Sequence, residues 1–316
     1  MFFLLNLIVQ KILLTMSKQT LYILGILATI ILGALLYPRF CCKDCCGKPA
    51  ENTVQTDTNT NSGSNNVFKL SGNDFDYSCN DNFRFLSNGF NNIQPVNDSI
   101  NSGIRLLKAF FDKNPDQKVH ITGYALNTEK NTSAFPNLGL ARANDVKNYF
   151  ISKGFASNQF ETHGELKDAW KVFNDTVYGP VDFKIEQNQT AENTEDWNAL
   201  KEKINANPLI LYFNTNQTEI DLTPEERQKI ADLSNYLDHV SDAKISCVGH
   251  SDSTGKREAN VRLGQGRADF AKAYLTKNGI AADKIESSSK GPDEPIADNN
   301  TAEGKAKNRR TVVSLK

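Results

Sequence analysis

Residues 245–291 read ISCVGHSDSTGKREANVRLGQGRADFAKAYLTKNGIAADKIESSSKG, and they decide the fold because an earlier stretch repeats their pattern. That stretch, residues 119–165, reads VHITGYALNTEKNTSAFPNLGLARANDVKNYFISKGFASNQFETHGE. Arg142 matches Arg267 at an offset of 125 residues, whereas Gly123 matches Gly249 at an offset of 126. A nearly constant offset indicates an internal repeat with a one-residue insertion or deletion in the loop between strand and helix.

Each copy is predicted to fold as β-α-β-α-β, because short apolar runs alternate with helices that carry one apolar face. The predicted first strands are 83–86 and 209–213, and the last strands are 181–185 and 311–315. Thr223 begins a capping box that marks the second helix start. Strands that alternate with helices predict an α/β (α+β) layer sandwich in each copy. The predicted apolar helix faces consist of Ile100, Ile104, Leu107 and Phe111 in one copy, and of Ile230, Leu233 and Leu237 in the other.

The N-terminal region is predicted to anchor the chain. Residues 21–37 carry no charge, and a helix of that length spans about 25 Å, near the lower limit for a bilayer core. We therefore expect an uncleaved transmembrane helix over 19–38. The alternative is a cleaved signal peptide, for which Tyr37-Pro38-Arg39-Phe40 is a poor cleavage site. Residues 1–18 are an N-terminal extension of uncertain role, because Met16-Ser17-Lys18 is a more natural start than Met1. Our hypothesis is that translation begins at Met16.

A Cys-rich segment and a disordered linker are expected over 39–66. The Asn/Thr/Ser-rich stretch after the cysteines has too few apolar residues to bury a core. The cysteines are compatible with disulfides, with a metal site or with neither of these roles, and the sequence leaves the three alternatives open. The four clustered cysteines are Cys41, Cys42, Cys45 and Cys46.

Three segments follow the linker. Residues 67–186 hold the first copy, residues 187–207 a polar linker with a short amphipathic helix, and residues 208–316 the second copy. We call residues 67–186 the first repeat and residues 208–316 the second repeat. The sequence thus predicts two tandem layer-sandwich domains after a membrane helix and a flexible linker.

The second repeat resembles the OmpA-like C-terminal domain that binds peptidoglycan. The resemblance covers residues 208–316 and depends on an ordered set of motif residues. These are Gly249-His250-Ser251-Asp252, Gly255, Asn260, Leu263, Arg267-Ala268, Gly279-Ile280, Gly304 and Asn308-Arg309-Arg310.

Two charged residues of this set are the principal candidate ligands. Asp252 falls at the carboxyl end of a predicted strand, where α/β sheets present ligand sites. Arg267 lies on the next helix, on one face with Asn260 and Leu263. Arg binds a carboxylate bidentately and Asp accepts from an ammonium group, so the pair suits a zwitterionic head group. The alternative is a structural salt bridge between Asp252 and Arg267.

The resemblance implies that Asp252 and Arg267 bind the diaminopimelate of the peptidoglycan stem peptide. It also implies that backbone groups near Asn214 and Thr215 take part. We interpret Arg310 as mainly structural, pairing with a carboxylate, with contact to the ligand as the alternative. We interpret His250 as a packed loop residue. No metal or cofactor is expected.

Two features depart from the family pattern. Gly264 and Gly266 lie within the helix that carries Arg267, which predicts a locally less rigid helix. The first repeat keeps Arg142, but Leu126 or Asn127 stands at the aspartate position. We therefore expect the first repeat to be a degenerate copy that packs, spaces or binds a protein.

The predicted function is non-enzymatic binding of peptidoglycan by a membrane-anchored protein of the bacterial cell envelope, with its repeats in the periplasm and its anchor in the inner rather than the outer membrane. The alternative is a scaffold subunit of an envelope machine that recruits a protein through residues 67–186. A net charge of −1 gives no support for nucleic-acid binding. The uncharged segment disfavours a motor stator, the helices disfavour a porin, and no paired carboxylates or metal set suggest a hydrolase.

Overall fold

The structure, a computed structural model, describes Thr29 and residues 67–72, 74–170, 172–187, 196–213 and 222–316. Apart from Thr29, the expected membrane helix, the cysteine cluster and the linker lie outside these residues. Within the ranges described, no helix is both long enough and apolar enough to cross a membrane.

The first repeat contains eight strands and two α-helices within its described residues. In chain order they are β1 (Phe68–Gly72), β2 (Phe75–Cys79), β3 (Arg84–Leu86), α1 (Asp98–Phe111), β4 (Gln117–Ala125), α2 (Leu138–Ile151), β5 (Phe160–Leu166), β6 (Val172–Phe173), β7 (Thr176–Tyr178) and β8 (Val181–Gln187).

The main sheet of the first repeat has the order β5-β4-β8, with β4 parallel to β5 and antiparallel to β8. The prediction that residues 83–86 supply the first strand of this sheet is wrong, because β3 pairs with β7 in a separate small sheet. Gly179, at φ +64°, interrupts the extended strand conformation between β7 and β8. Strand β1 packs beside β8 instead, so closely that a Cβ on Gly72 would lie 2.0 Å from the Ile185 carbonyl oxygen.

The second repeat, with the helix before it, is more regular. Its strand order is β11-β10-β12-β9, with β10 parallel to β11 and antiparallel to β12. This arrangement of helices and one mixed sheet confirms the α/β class. The elements are α3 (Trp197–Ala206), β9 (Leu209–Tyr212), α4 (Pro224–His239), β10 (Ile245–His250), α5 (Arg257–Lys277), β11 (Ile285–Gly291), α6 (Ala302–Asn308) and β12 (Arg310–Leu315).

The helix signals in the sequence are confirmed. Thr223 caps α4, its hydroxyl accepting from the Glu226 N–H at 3.2 Å while its own N–H donates to the Glu226 carboxylate at 2.8 Å. Both predicted apolar faces are buried. The short helix α3 also packs its apolar side on the core of the second repeat, with Ile204 buried there.

Gly264 lies where helix α5 packs closely on strand β10. Helix α5 runs unbroken through it, and a Cβ on Gly264 would lie 2.3 Å from Ser289 Oγ and 2.8 Å from the Gly249 carbonyl oxygen. A side chain there would push α5 away from β10, so the glycine permits close packing of helix on strand. By contrast, a Cβ added at Gly266 would meet no heavy atom of the described residues within 4 Å.

The two repeats contact each other through α2 and the ends of α4 and α5. The buried Lys147 pairs with Asp238 across this contact. The Asn278 side chain accepts from the Ala134 N–H at 2.7 Å, and the Asn148 amide donates to the Gly279 carbonyl at 2.9 Å. The described residues from 67 to 316 belong to one compact unit.

Candidate functional site

The candidate site lies where β10 ends and β12 begins. These strands are antiparallel, with Gly249 opposite Thr311, so residues after β10 lie beside residues before β12. Asp252 follows β10 and Arg309 precedes β12. Their side chains form an ion pair of 2.9 Å, with exposures of 14% and 22%. The site is therefore partly open to solvent at this edge of the sheet.

The loop backbone holds the Asp252 carboxylate as an anion. Oδ1 accepts from the Thr254 N–H at 2.9 Å, and Oδ2 accepts from Arg309. Burial by itself would raise the pKa of this carboxyl, but donation from Thr254 and Arg309 outweighs it, so the pKa is lowered. Asp252 is thus charged and oriented before any ligand arrives.

Arg267 approaches the same strand end from α5. Its Nη1 donates to the His250 carbonyl at 2.8 Å. Burial and the positive charge of Arg309 lower the pKa of Arg267, and the negative charge of Asp252 opposes them. The alternative of a salt bridge between Asp252 and Arg267 is replaced by a different pair, because Arg309 is the partner of Asp252.

The other two residues on the predicted helix face have separate places. Asn260 is buried, and its amide donates to the Thr254 carbonyl at 3.1 Å, so it fixes the loop that carries Asp252. Leu263 is 55% exposed. This face of α5 therefore carries the Asn260 amide, which positions the loop, the exposed Leu263 side chain and the Arg267 guanidinium.

The expectation that Arg310 pairs with a carboxylate is wrong. Its buried guanidinium donates to two backbone carbonyls, of Glu294 at 3.1 Å and of Asn308 at 3.4 Å. Asn308 is the last residue of α6, and Glu294 lies in the loop between β11 and α6. The observed contacts of Arg310 therefore link the start of β12 to the chain before it.

His250 is the last residue of β10 rather than a loop residue, and it is buried. Burial and the nearby Arg310 lower the pKa of its imidazole to about 4. His250 is therefore neutral near pH 7, and its contribution to the site is its backbone carbonyl.

Arg309 is the site residue that the sequence analysis missed. The sequence signal for Arg309 is its place in the Asn-Arg-Arg stretch directly before the last strand. When that strand returns antiparallel to β10, the stretch lies beside the end of β10. Asn308 anchors this stretch: it is buried and accepts from the Ile296 and Ala297 N–H groups at 2.8 and 3.0 Å. Asn214 and Thr215 lie outside the described residues, although the Phe213 N–H donates to the Arg309 carbonyl at 3.2 Å.

The corresponding place in the first repeat is closed. Arg142 is fully buried and pairs with Glu129, whose side chain is 2% exposed. Leu126 and Asn127, at the aspartate position, have no carboxylate. The Leu126 N–H donates to Glu129, and the Asn127 N–H and side-chain amide donate to Asp168. Across the described residues, no cluster of His, Cys, Asp or Glu is arranged to hold a metal ion.

Comparison with known proteins identifies the family of the second repeat. Residues 212–309 match the model of the OmpA family. The peptidoglycan-associated lipoprotein of Buchnera aphidicola subsp. Baizongia pistaciae is 33% identical over 140 residues, which are 44% of this chain and 79% of that protein. The probable lipoprotein YiaD of Escherichia coli is 37% identical over 94 residues, 30% of this chain but only 43% of that protein. The crystal structure of the peptidoglycan-associated lipoprotein from Burkholderia pseudomallei aligns with a TM-score of 0.31 and 24% identity, covering 34% of this chain and 89% of that one.

The chain belongs to the OmpA family, whose domain forms its C-terminal part.

Proposed function

We propose that the second repeat binds peptidoglycan, without catalysis, through the diaminopimelate of the stem peptide. The relative from Buchnera carries peptidoglycan association in its name, and the match to it is 33% identical. In this proposal Asp252 accepts from the ammonium group of diaminopimelate and Arg267 binds the carboxylate beside it. The residues of the motif therefore serve a zwitterionic ligand.

The observation that carries the proposal is the charge balance at the strand end. Two guanidinium groups, of Arg267 and Arg309, lie near one carboxylate, that of Asp252. Arg309 neutralises and orients Asp252, and among the described residues no carboxylate forms an ion pair with Arg267. A ligand carboxylate would balance the charge of Arg267, and bidentate pairing is the strongest form of that contact.

Supporting residues act through the two principal ligands. Asn260 holds the loop at Thr254, and Arg310 supports the loop and helix before β12 through backbone carbonyls. Leu263 offers an exposed apolar contact to the stem peptide. Backbone groups of Asn214 and Thr215 complete the proposed ligand contacts.

We place the protein in the bacterial cell envelope, tied to a membrane by residues 19–38 and to the wall by the second repeat. The anchor is assigned to the inner membrane because an uncleaved helix is typical of that membrane. The repeats then lie in the periplasm.

A second candidate function is recruitment of a protein partner by the first repeat. The small sheet β3-β7-β6 exposes Leu86, Phe173 and Tyr178 to the extent of 53%, 65% and 37%. Exposed apolar side chains on one small sheet are typical of interaction surfaces. Co-purification of a stoichiometric partner that is lost with Phe173→Ser would support this function.

A pull-down on purified sacculi tests the main proposal. We expect the full chain to sediment with sacculi and Asp252→Ala or Arg267→Ala to remain largely in the supernatant. Arg257→Ala and Asp293→Ala are matched controls, because they remove the same charges from an exposed ion pair near the start of α5. Equal retention of all four variants and the wild type would refute the ligand assignment.

A further inference from the structure

Arg142 and Arg267 hold the same place in their repeats. Each lies three residues after a helix glycine that packs tightly on a glycine of the central strand. Each then donates Nη1–H to the carbonyl of the residue after that strand glycine, Tyr124 at 2.9 Å or His250 at 2.8 Å. The two guanidinium groups are therefore presented in the same way at the end of the central strand.

The surroundings of the two guanidinium groups differ. Arg142 also donates to the carbonyls of Gly89 at 3.0 Å and Leu86 at 3.4 Å, and above all it has a carboxylate partner. Glu129 lies on Arg142 as a bidentate partner, with Nη2 to Oε1 at 2.6 Å and Nη1 to Oε2 at 3.0 Å. Its two oxygens also accept from the backbone N–H groups of Asn88 at 3.0 Å and Leu126 at 2.9 Å. Four donors from three parts of the chain thus converge on one carboxylate.

The loop before the helix explains this difference. Residues 126–137 connect β4 to α2, whereas the shorter segment 251–256 connects β10 to α5. Pro136 disfavours helix at the residue before it, and Asn137 caps α2 by accepting from the Leu140 N–H at 2.7 Å, so the helix begins at Leu138. The irregular chain before Pro136 has the length to fold Glu129 back over Arg142. In the second repeat Thr254 or Gly255, neither of which carries a carboxylate, stands at the position of Glu129, and α5 begins at Arg257. Arg267 is half-buried at the strand end.

We propose that Glu129 is an internal ligand, which occupies a carboxylate-binding site built by Arg142 and the backbone N–H groups of Asn88 and Leu126. The first repeat is then not an eroded site but a filled one, closed to external carboxylates by its own chain. Removal of the Glu129 carboxylate opens a site for a small monocarboxylate such as acetate. This inference concerns the first repeat alone and stands whether or not the second repeat binds peptidoglycan.

Chemical rescue of Glu129→Ala in the full chain tests the proposal. The substitution leaves a buried, unpaired guanidinium and a space of the size of the lost side chain, so the variant should unfold at a lower temperature than the wild type. Acetate that binds there with a Kd of about 10 mM multiplies the folding equilibrium constant by about 20 at about 0.2 M. We expect acetate, compared with chloride at equal ionic strength, to raise the unfolding midpoint of Glu129→Ala and not that of the wild type.

Two controls separate a carboxylate site from a general salt effect. Leu107→Ala creates a cavity in the core of the same repeat and should not respond to acetate. The double variant Glu129→Ala/Arg142→Leu lacks the guanidinium and should lose the response. If Glu129→Ala does not fold in chloride, its refolding yield in acetate against chloride is the readout. Equal midpoints, or equal yields, in the two salts would overturn the proposal.

Discussion

Arg309 is predicted to be the residue that holds the Asp252 carboxylate in its binding orientation. Arg309→Met removes the ion pair of 2.9 Å while it keeps most of the side-chain volume. The pair is partly buried, so its loss should cost less than the ~3–5 kcal/mol of a fully buried pair and more than the ~0–1 kcal/mol of a surface pair. We expect the free energy of unfolding to fall by about 1–2 kcal/mol, because Asp252 keeps only the Thr254 donor.

The same variant should weaken ligand binding. Without Arg309, the Asp252 carboxylate is ordered only when the ligand binds, so part of the binding free energy is used for that ordering. A cost of about 1.4 kcal/mol would make the affinity about tenfold weaker. Urea unfolding measures the first effect and a sacculus titration measures the second. Arg257→Met is the matched control, since it removes the same charge from an exposed pair with Asp293. The reasoning is refuted if Arg309→Met matches Arg257→Met in both assays.

The pH dependence gives an independent check on this pair. The pKa of Asp252 is lowered in the folded protein: burial alone would raise it, and donation from Thr254 and Arg309 more than compensates. A lowered pKa contributes stability above the ordinary value of about 4, and this contribution is lost as the pH falls. The difference in unfolding free energy between wild type and Arg309→Met should therefore narrow as the pH is taken from 7 to below about 4.

Further predictions concern the packing of α5 and the contact between the repeats. Gly264→Ala should lower the free energy of unfolding by about 1–3 kcal/mol through overpacking, whereas Gly266→Ala should raise it by about 0.5–1 kcal/mol through helix propensity; a reversed order in urea unfolding would contradict the glycine contact. Burial lowers the pKa of His239, but the Glu161 carboxylate 3.4 Å away outweighs it, so the pKa is raised. The ion pair of His239 and Glu161 stabilises the protein below about pH 6.5 by about 0.5–1 kcal/mol, and this contribution is lost as the pH rises through the folded pKa of His239. His239→Gln should abolish this pH-dependent part of the unfolding free energy. An unchanged pH profile in the variant would contradict the role of the pair. Lys147→Met should lower the free energy of unfolding by about 3 kcal/mol, because Asp238 then lacks a counter-charge. Replacing Asp238 by Asn in the same chain should restore part of the lost stability.

Regular elements of the second repeat could be predicted from the sequence because local signals agree with the fold there. The capping box at Thr223 and the apolar face of α4 both depend on neighbours a few residues away, and both are present. The role of Gly264 could not be predicted, since helix propensity describes only the helix. The constraint comes from the Gly249 carbonyl on a different element.

The proximity of the candidate side chains could be predicted where it depends on one strand and its following helix, and it was missed where it depends on the return of the chain. Asp252 and Arg267 belong to the first category, and Arg309 belongs to the second. The partner of Arg142 could not be predicted either, because the repeat pattern points only to the aspartate position, which holds Leu126 or Asn127. The real partner, Glu129, lies further along an irregular loop whose path no periodicity reveals.

Calorimetric binding of two soluble stem peptides to the full chain tests the central claim most directly. The peptides should differ only in carrying diaminopimelate or lysine, because lysine keeps the ammonium group for Asp252 and lacks the carboxylate for Arg267. We predict at least about tenfold tighter binding of the diaminopimelate peptide, equivalent to about 1.4 kcal/mol, and loss of that preference in Arg267→Ala. Equal affinity for both peptides in the wild type would contradict the account.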